Sequence, residues 1–135
     1  MAEYHLDCSL AQDVRATLDD FTFAYIETSF WTLTDDDGHS LDYLGLHDLS
    51  AEALQAMRDD CETFRRDAGA LLDGSNNDQA GHDFWLTRNR HGAGFWDRDP
   101  AIYPNDPTGR KLSDIAHGYG ECDLYLGDDG NLYLN

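Results

Sequence analysis

Basic residues are scarce in this sequence: Lys and Arg together number 9 in 135 residues, and Lys111 is the only lysine. Against them stand 27 acids, 22 Asp and 5 Glu, for a formal net charge of -18. A chain with that field repels nucleic acid and anionic membranes, which carry the same sign, so direct DNA binding is excluded as an expectation. Cysteine is also sparse. Cys8, Cys61 and Cys122 are odd in number and far apart, with no CxxC pair or Cys/His cluster, which argues against a disulfide framework and a zinc site. They read as reduced thiols, with Cys61 and Cys122 suited to small core positions. Apolar runs fall well short of the roughly 18 residues that a membrane span needs. The first residues, Met1-Ala2-Glu3-Tyr4-His5, have neither the positive region nor the apolar stretch of a signal peptide. The expectation is a soluble, cytoplasmic protein without a membrane partner. Only 3 prolines occur, all between Pro100 and Pro107, so that stretch is a loop.

What is present is enough for a core: 41% hydrophobic and 12% aromatic residues argue against disorder, and the length suits one domain over 1–135. Residues 1–73 carry 17 acids and 4 bases, and residues 74–135 carry 10 and 5. The acidity is therefore concentrated in the first half. It favours a partner with a basic surface, while the bias to Asp over Glu is also what adaptation to salt or solubility would leave.

Helical periodicity dominates residues 1–73. Ser9 is a candidate N-cap for a segment from Leu10 to about Leu33, continuous or broken, although Phe21-Thr22-Phe23-Ala24-Tyr25-Ile26 also alternates as a strand would. Asp35-Asp36-Asp37-Gly38-His39-Ser40 is a polar turn; it has the acids of a calcium loop, but Leu46 falls where the bidentate Glu belongs. Ser50 caps the clearest helix, in which Leu54, Met57, Cys61, Phe64, Ala68 and Leu71 form an apolar stripe. Asp59, Asp60, Glu62 and Asp67 lie off that stripe, with Glu62 and Arg66 spaced for an i,i+4 pair. Asp73-Gly74-Ser75-Asn76-Asn77-Asp78 then reads as a stop.

Beyond it the period changes. Phe84 and Leu86 alternate with Trp85 and Thr87, Asn89-Arg90-His91-Gly92 reads as a turn, and Ala93 to Asp97 as a returning strand, a hairpin with Phe84, Leu86, Phe95 and Trp96 in its core. A short helix over Leu112 to Tyr119 follows, with Gly120 at its end. The chain finishes in Asp123-Leu124-Tyr125-Leu126 and Asn131-Leu132-Tyr133-Leu134 around Asp129-Gly130, a strong hairpin signal. The expected fold is α+β: N-terminal helices packed on a small antiparallel sheet of two hairpins, with 80–135 the sheet-rich part.

The run Gly81-His82-Asp83-Phe84-Trp85-Leu86-Thr87-Arg88-Asn89, then His91-Gly92-Ala93-Gly94-Phe95-Trp96-Asp97-Arg98, followed by Asp123-Leu124-Tyr125-Leu126-Gly127-Asp128-Asp129-Gly130, resembles a group of small proteins encoded by bacteriophages and other mobile elements. That group has no established activity, so the resemblance implies a phage-type accessory protein and no chemistry. Its members tend to place glycine after the turn asparagine, where this chain has Arg90, a residue that disfavours positive φ.

No GxSxG, HExxH, GKS or HxE with PCxxC motif is present, and no cofactor is called for. An enzyme would have to draw on His82, His91, Arg88 and Asp97; His82-Asp83 beside His91 also offers metal-ligating types. The structural reading instead pairs Arg88 and Arg98 with the abundant aspartates. The function these features favour is protein binding. An acidic surface built from Asp59, Asp60, Glu62 and Asp67, with Asp35, Asp36 and Asp37, would occupy a basic, nucleic-acid-binding groove of a host protein, as an anti-defence or host-takeover inhibitor would. A small enzyme, and a virion or housekeeping protein with salt-adapted acidity, are the competing classes.

Overall fold

In the computed structural model, residues 14–33 and 44–135 are described. The Ser9 cap, Cys8 and the Asp35–Ser40 turn lie outside them. Helix α1, Asp20–Trp31, begins where the Asp19 carboxylate accepts the Thr22 N–H at 2.7 Å, so the segment around it is broken at 17–19. Its aromatic and β-branched composition does not make it a strand. Phe21, Thr22, Ala24, Tyr25, Ile26, Thr28 and Ser29 are buried, while Asp20, Phe23, Glu27, Phe30 and Trp31 make up the outer face of the helix. The buried hydroxyls are satisfied within the helix, Thr28 Oγ1 donating to the Ala24 carbonyl at 2.7 Å and Ser29 Oγ to that of Ile26.

Helix α2, Ala51–Ala68, follows the sequence expectation closely. Ser50 Oγ accepts the Ala53 N–H at 3.1 Å, and Ala53, Met57, Cys61, Phe64 and Ala68 face inward. Gly69, at φ +49°, ends it, and a 3-10 turn over Gly69–Leu72 leads to α3.

Helix α3, Asn77–Arg88, is the main correction. The expected central hairpin over 84–97 does not exist: Phe84 to Arg88 lie in this helix, and Phe95–Asp97 form a 3-10 turn. The alternation of Phe84 and Leu86 with Trp85 and Thr87 misled because α3 is enclosed on nearly all sides and carries no simple apolar stripe; α1 lacks one as well, since Phe23, Phe30 and Trp31 lie on its outer face. Both Phe84 and Trp85 are buried, the Trp85 indole N–H donating to Thr32 Oγ1 at 3.1 Å. Trp96, expected in the core, is 56% exposed, and Leu86 is half-buried. The helix signal that was present lies upstream: the Asn76 side chain accepts the Gln79 N–H at 3.1 Å, with Asp78 in the first turn. At the other end Arg90 adopts φ +57°, with its N–H on the Thr87 carbonyl at 3.1 Å and that of His91 on Leu86 at 2.9 Å. This is a Schellman end with arginine in the position glycine favours.

The loop holding the prolines folds inward at two points, burying Tyr103 and Asp106. Asp106 Oδ2 accepts the Leu112 N–H at 2.7 Å and so anchors the start of α4, Arg110–His117. Strands β1, Leu124–Leu126, and β2, Leu132–Leu134, pair antiparallel with Leu124 opposite Leu134, as the Asp129-Gly130 signal predicts. The Ser50 N–H donates to the Leu132 carbonyl at 2.8 Å, tying the hairpin to the start of α2. Helices with a small two-stranded antiparallel sheet make an α+β fold, but the second half of the chain is mostly helix and loop rather than sheet-rich. The core is aromatic at its centre. The Phe64 ring stacks on Phe84 at 4.0 Å and on Phe95 at 5.6 Å, and Tyr25 packs on Phe84 at 5.0 Å. Among the described residues no helix is long and apolar enough to cross a membrane.

Candidate functional site

Two polar clusters use up much of the chemistry that the central segment carries. The first is built on Asp83, which is fully buried. Arg98 donates to it side-on, Nη2 to Oδ1 at 2.7 Å and Nε to both oxygens at 3.1 Å. Tyr103 Oη donates to Oδ2 at 2.6 Å and Gln79 Nε2 to Oδ1 at 3.0 Å. A carboxylate taken out of water needs this density of donors around it to be tolerated. The hydrogen bond to Asp83 raises the Arg98 pKa, and burial followed by the Asp83 charge raises that of Tyr103, which stays a protonated donor. The pairing joins α3 to the loop after the 3-10 turn.

The second cluster surrounds Arg88, 5% exposed. Its Nε and Nη2 donate to the carbonyls of Gly120 and Tyr119 at 2.9 and 3.0 Å, and Nη1 to Tyr25 Oη at 2.9 Å and Asp60 Oδ2 at 2.7 Å. One side chain thereby ties the end of α4 to α1 and α2. Burial pulls the Arg88 pKa down, but Tyr25 and Asp60 more than offset this and hold the guanidinium charged. Next to it, Asn89 donates to the Trp85 carbonyl at 3.1 Å and accepts the Cys122 N–H at 2.7 Å.

The residues an enzyme would have needed are therefore dispersed. Arg88 is interior, His91 and Asp97 are exposed past the end of α3, and His82 is on α3 with its Nδ1 3.4 Å from Asp83 Oδ1. His82 lies within α3, whereas His91 follows the left-handed Arg90 beyond the end of that helix. Among the described residues no hydrogen bond or ion pair joins any two of the four, and no three His, Cys, Asp or Glu side chains are placed to hold a metal ion.

The acids expected to meet a partner are on α2, and each has a bond of its own. Asp59 accepts from Gln55 at 2.9 Å, Glu62 from Arg66 at 3.0 Å as the spacing predicts, and Asp67 from Tyr119 Oη at 2.8 Å. Asp60 is a correction: although off the apolar stripe, it is the carboxylate partner of buried Arg88 and is not a freely replaceable surface group. Arg58, Arg65 and Arg66 share this helix and moderate its field. Asp35, Asp36 and Asp37 lie outside the described residues. A cleft of about 520 Å³ between α2 and the start of α1 holds these arginines, but Arg65 is paired with Asp19 at 2.9 Å and Arg66 with Glu62 at 3.0 Å, so its charges are largely balanced.

A second groove, about 440 Å³, runs between α1 and α3. Asp20, Glu27 and Trp31 line it from α1, Asp78 and His82 from α3, and Arg98 from below. Trp31 is 67% exposed and meets the His82 ring edge-on at 5.5 Å. Sequence reasoning passed over this site because Trp31 looks like the last apolar position of α1. The available signal was Glu27 and Trp31 one turn apart, a carboxylate beside an indole on one helix face. Comparison of the chain with protein-family models, with curated proteins and with solved structures gives no match.

Proposed function

We propose that the protein acts by binding: a small acidic accessory protein of the phage or mobile-element type that occupies a basic, nucleic-acid-binding surface of a host protein, in the manner of an anti-defence inhibitor. The observation that carries this reading is the surplus of carboxylates left after internal pairing. Among the described residues, arginines pair with Asp19, Asp20, Asp60, Glu62 and Asp83. Glu27, Asp78, Asp97, Asp99, Asp114, Glu121, Asp123, Asp128 and Asp129 stay exposed beyond those pairs. Uncompensated surface charge of one sign raises association rates with the opposite sign and excludes like-charged partners. The dispersal of His82, His91, Arg88 and Asp97 gives an enzyme reading no comparable support.

The test is capture of host proteins already enriched on duplex DNA, passed over the immobilised protein at about 0.15 M salt, where exposed charges act over roughly 8 Å. The expected result is a small set of retained proteins that free duplex DNA displaces, and equal retention by a His82→Gln, His91→Gln variant. A fraction that flows through unretained would sink the reading and favour the salt-adaptation alternative, to which the 22 Asp against 5 Glu also point.

A further inference from the structure

We propose that the groove between α1 and α3 takes an arginine side chain of the basic partner, its guanidinium laid on the exposed face of Trp31 and held by the carboxylates of Glu27 and Asp78. The inference rests on the binding reading above and supplies the chemistry of its contact.

Trp31 is the most exposed large apolar side chain among the described residues, and the His82 ring meets it edge-on at 5.5 Å, which gives it one neighbour across the groove. An indole face attracts cations through its quadrupole, and more strongly where water is partly excluded. The charges around it then decide the occupant. Arg98 is neutralised from beneath by Asp83, and Arg15 lies 3.7 Å from Asp20. Glu27 and Asp78 have no cationic partner among the described residues, so the groove is left with unanswered negative charge. An anion would meet those carboxylates, and a second copy of a chain with net charge -18 would bring more of the same sign. A basic side chain meets neither obstacle. Between the two basic types, the planar guanidinium can stack on an indole and still direct edge N–H groups at carboxylates, which a compact ammonium cannot do at once. About two turns from Trp31, at the other end of the same groove, the protein already forms such a contact internally, with the Arg15 guanidinium 3.9 Å over the Phe23 ring and beside Asp20.

The experiment is calorimetric titration with an oligoarginine peptide and an oligolysine peptide of equal length, at about 0.05 and 0.15 M salt. The proteins are the wild type, Trp31→Ala, the double variant Glu27→Gln, Asp78→Asn, and Trp96→Ala as an exposed tryptophan elsewhere, each first checked for native circular dichroism. The arginine peptide should bind more tightly than the lysine peptide. Trp31→Ala should weaken the arginine peptide about tenfold and remove the discrimination, the double variant should weaken it similarly, and Trp96→Ala should leave it unchanged. Wild-type affinity in Trp31→Ala, or equal binding of the two peptides, overturns the groove assignment while leaving a general affinity for basic surfaces standing. No binding of either peptide to the wild type at the lower salt overturns the basic-partner reading itself. Concentration-dependent self-association that Trp31→Ala abolishes would give the groove to a second copy and likewise overturn the proposal.

Discussion

Changing Gly81 to alanine sets two effects of opposite sign against each other, so the sign of the result is diagnostic. By intrinsic propensity, alanine in the middle of a helix is better than glycine by about 1 kcal/mol. In this fold the added methyl has nowhere to go. A Cβ at position 81 would lie 2.0 Å from the Phe21 carbonyl oxygen, 2.9 Å from its carbon and 3.2 Å from Ala24 Cβ. An ordinary carbon to oxygen contact is about 3.3 Å or more, so the two helices would have to part by roughly 1 Å. The obstructing atom is backbone and cannot rotate away. Such a gap weakens the contacts flanking it, Tyr25 with Phe84 at 5.0 Å and with Trp85 at 5.3 Å among them, since a 1 Å separation forfeits up to about half of a dispersion well. Overpacking of this kind costs about 3 kcal/mol, and the propensity gain returns about 1, for a net loss of about 2 kcal/mol. In a domain of this size the melting temperature should fall by roughly 6 to 10 °C. Thermal unfolding followed by near-UV circular dichroism measures it. A melting temperature equal to or above wild type would mean that propensity decides, and would refute the close approach of α1 to α3.

Four further outcomes follow from the same geometry. Asp83→Asn should destabilise by about 3 kcal/mol in urea unfolding, because it leaves Arg98 without its buried counter-charge; a loss under about 1 kcal/mol would show that the cluster is dispensable. Arg90→Gly should stabilise by about 1 kcal/mol, since Arg90 bears the cost of φ +57° at a helix end, and a decrease in stability would count against the Schellman geometry. Burial raises the pKa values of Tyr25 and Tyr103 above those of the unfolded chain, so both are neutral in the fold; the stability they confer is complete below about pH 10 and falls as pH rises beyond it. Their phenolate absorbance should therefore appear only together with unfolding, and ionisation within a folded protein would contradict their burial. Finally, added salt from about 0.01 to 0.5 M should raise the melting temperature by screening a net charge of -18, whereas a flat or falling curve would indicate that ion pairs outweigh repulsion.

Local chemistry was sufficient for the parts of this fold where one face meets water. The α2 stripe from Met57 to Phe64, its Ser50 cap, the Glu62 and Arg66 pair, the proline-rich loop and the Asp129-Gly130 hairpin can all be read along the chain, because amphipathic periodicity and turn residues record a single buried side. Helices α1 and α3 record no such side. They pack on each other through Gly81; α1 turns the aromatic residues Phe23, Phe30 and Trp31 outward, and α3 is covered nearly all round, so Phe84 and Trp85 are both interior while Asp83 and Arg88 are interior too, and a short window of alternating aromatic residues reads as a strand. The same enclosure explains the candidate site. Which aspartate meets which arginine, why Trp31 is left in water while Trp85 is not, and the dispersal of His82, His91, Arg88 and Asp97 depend on contacts between residues far apart in sequence, as between Arg88 and Asp60 or Tyr25. The residue types and total charge are properties of the chain, but pairing and exposure arise only when its helices pack, since burying a charge is tolerated only where its partner is brought to it.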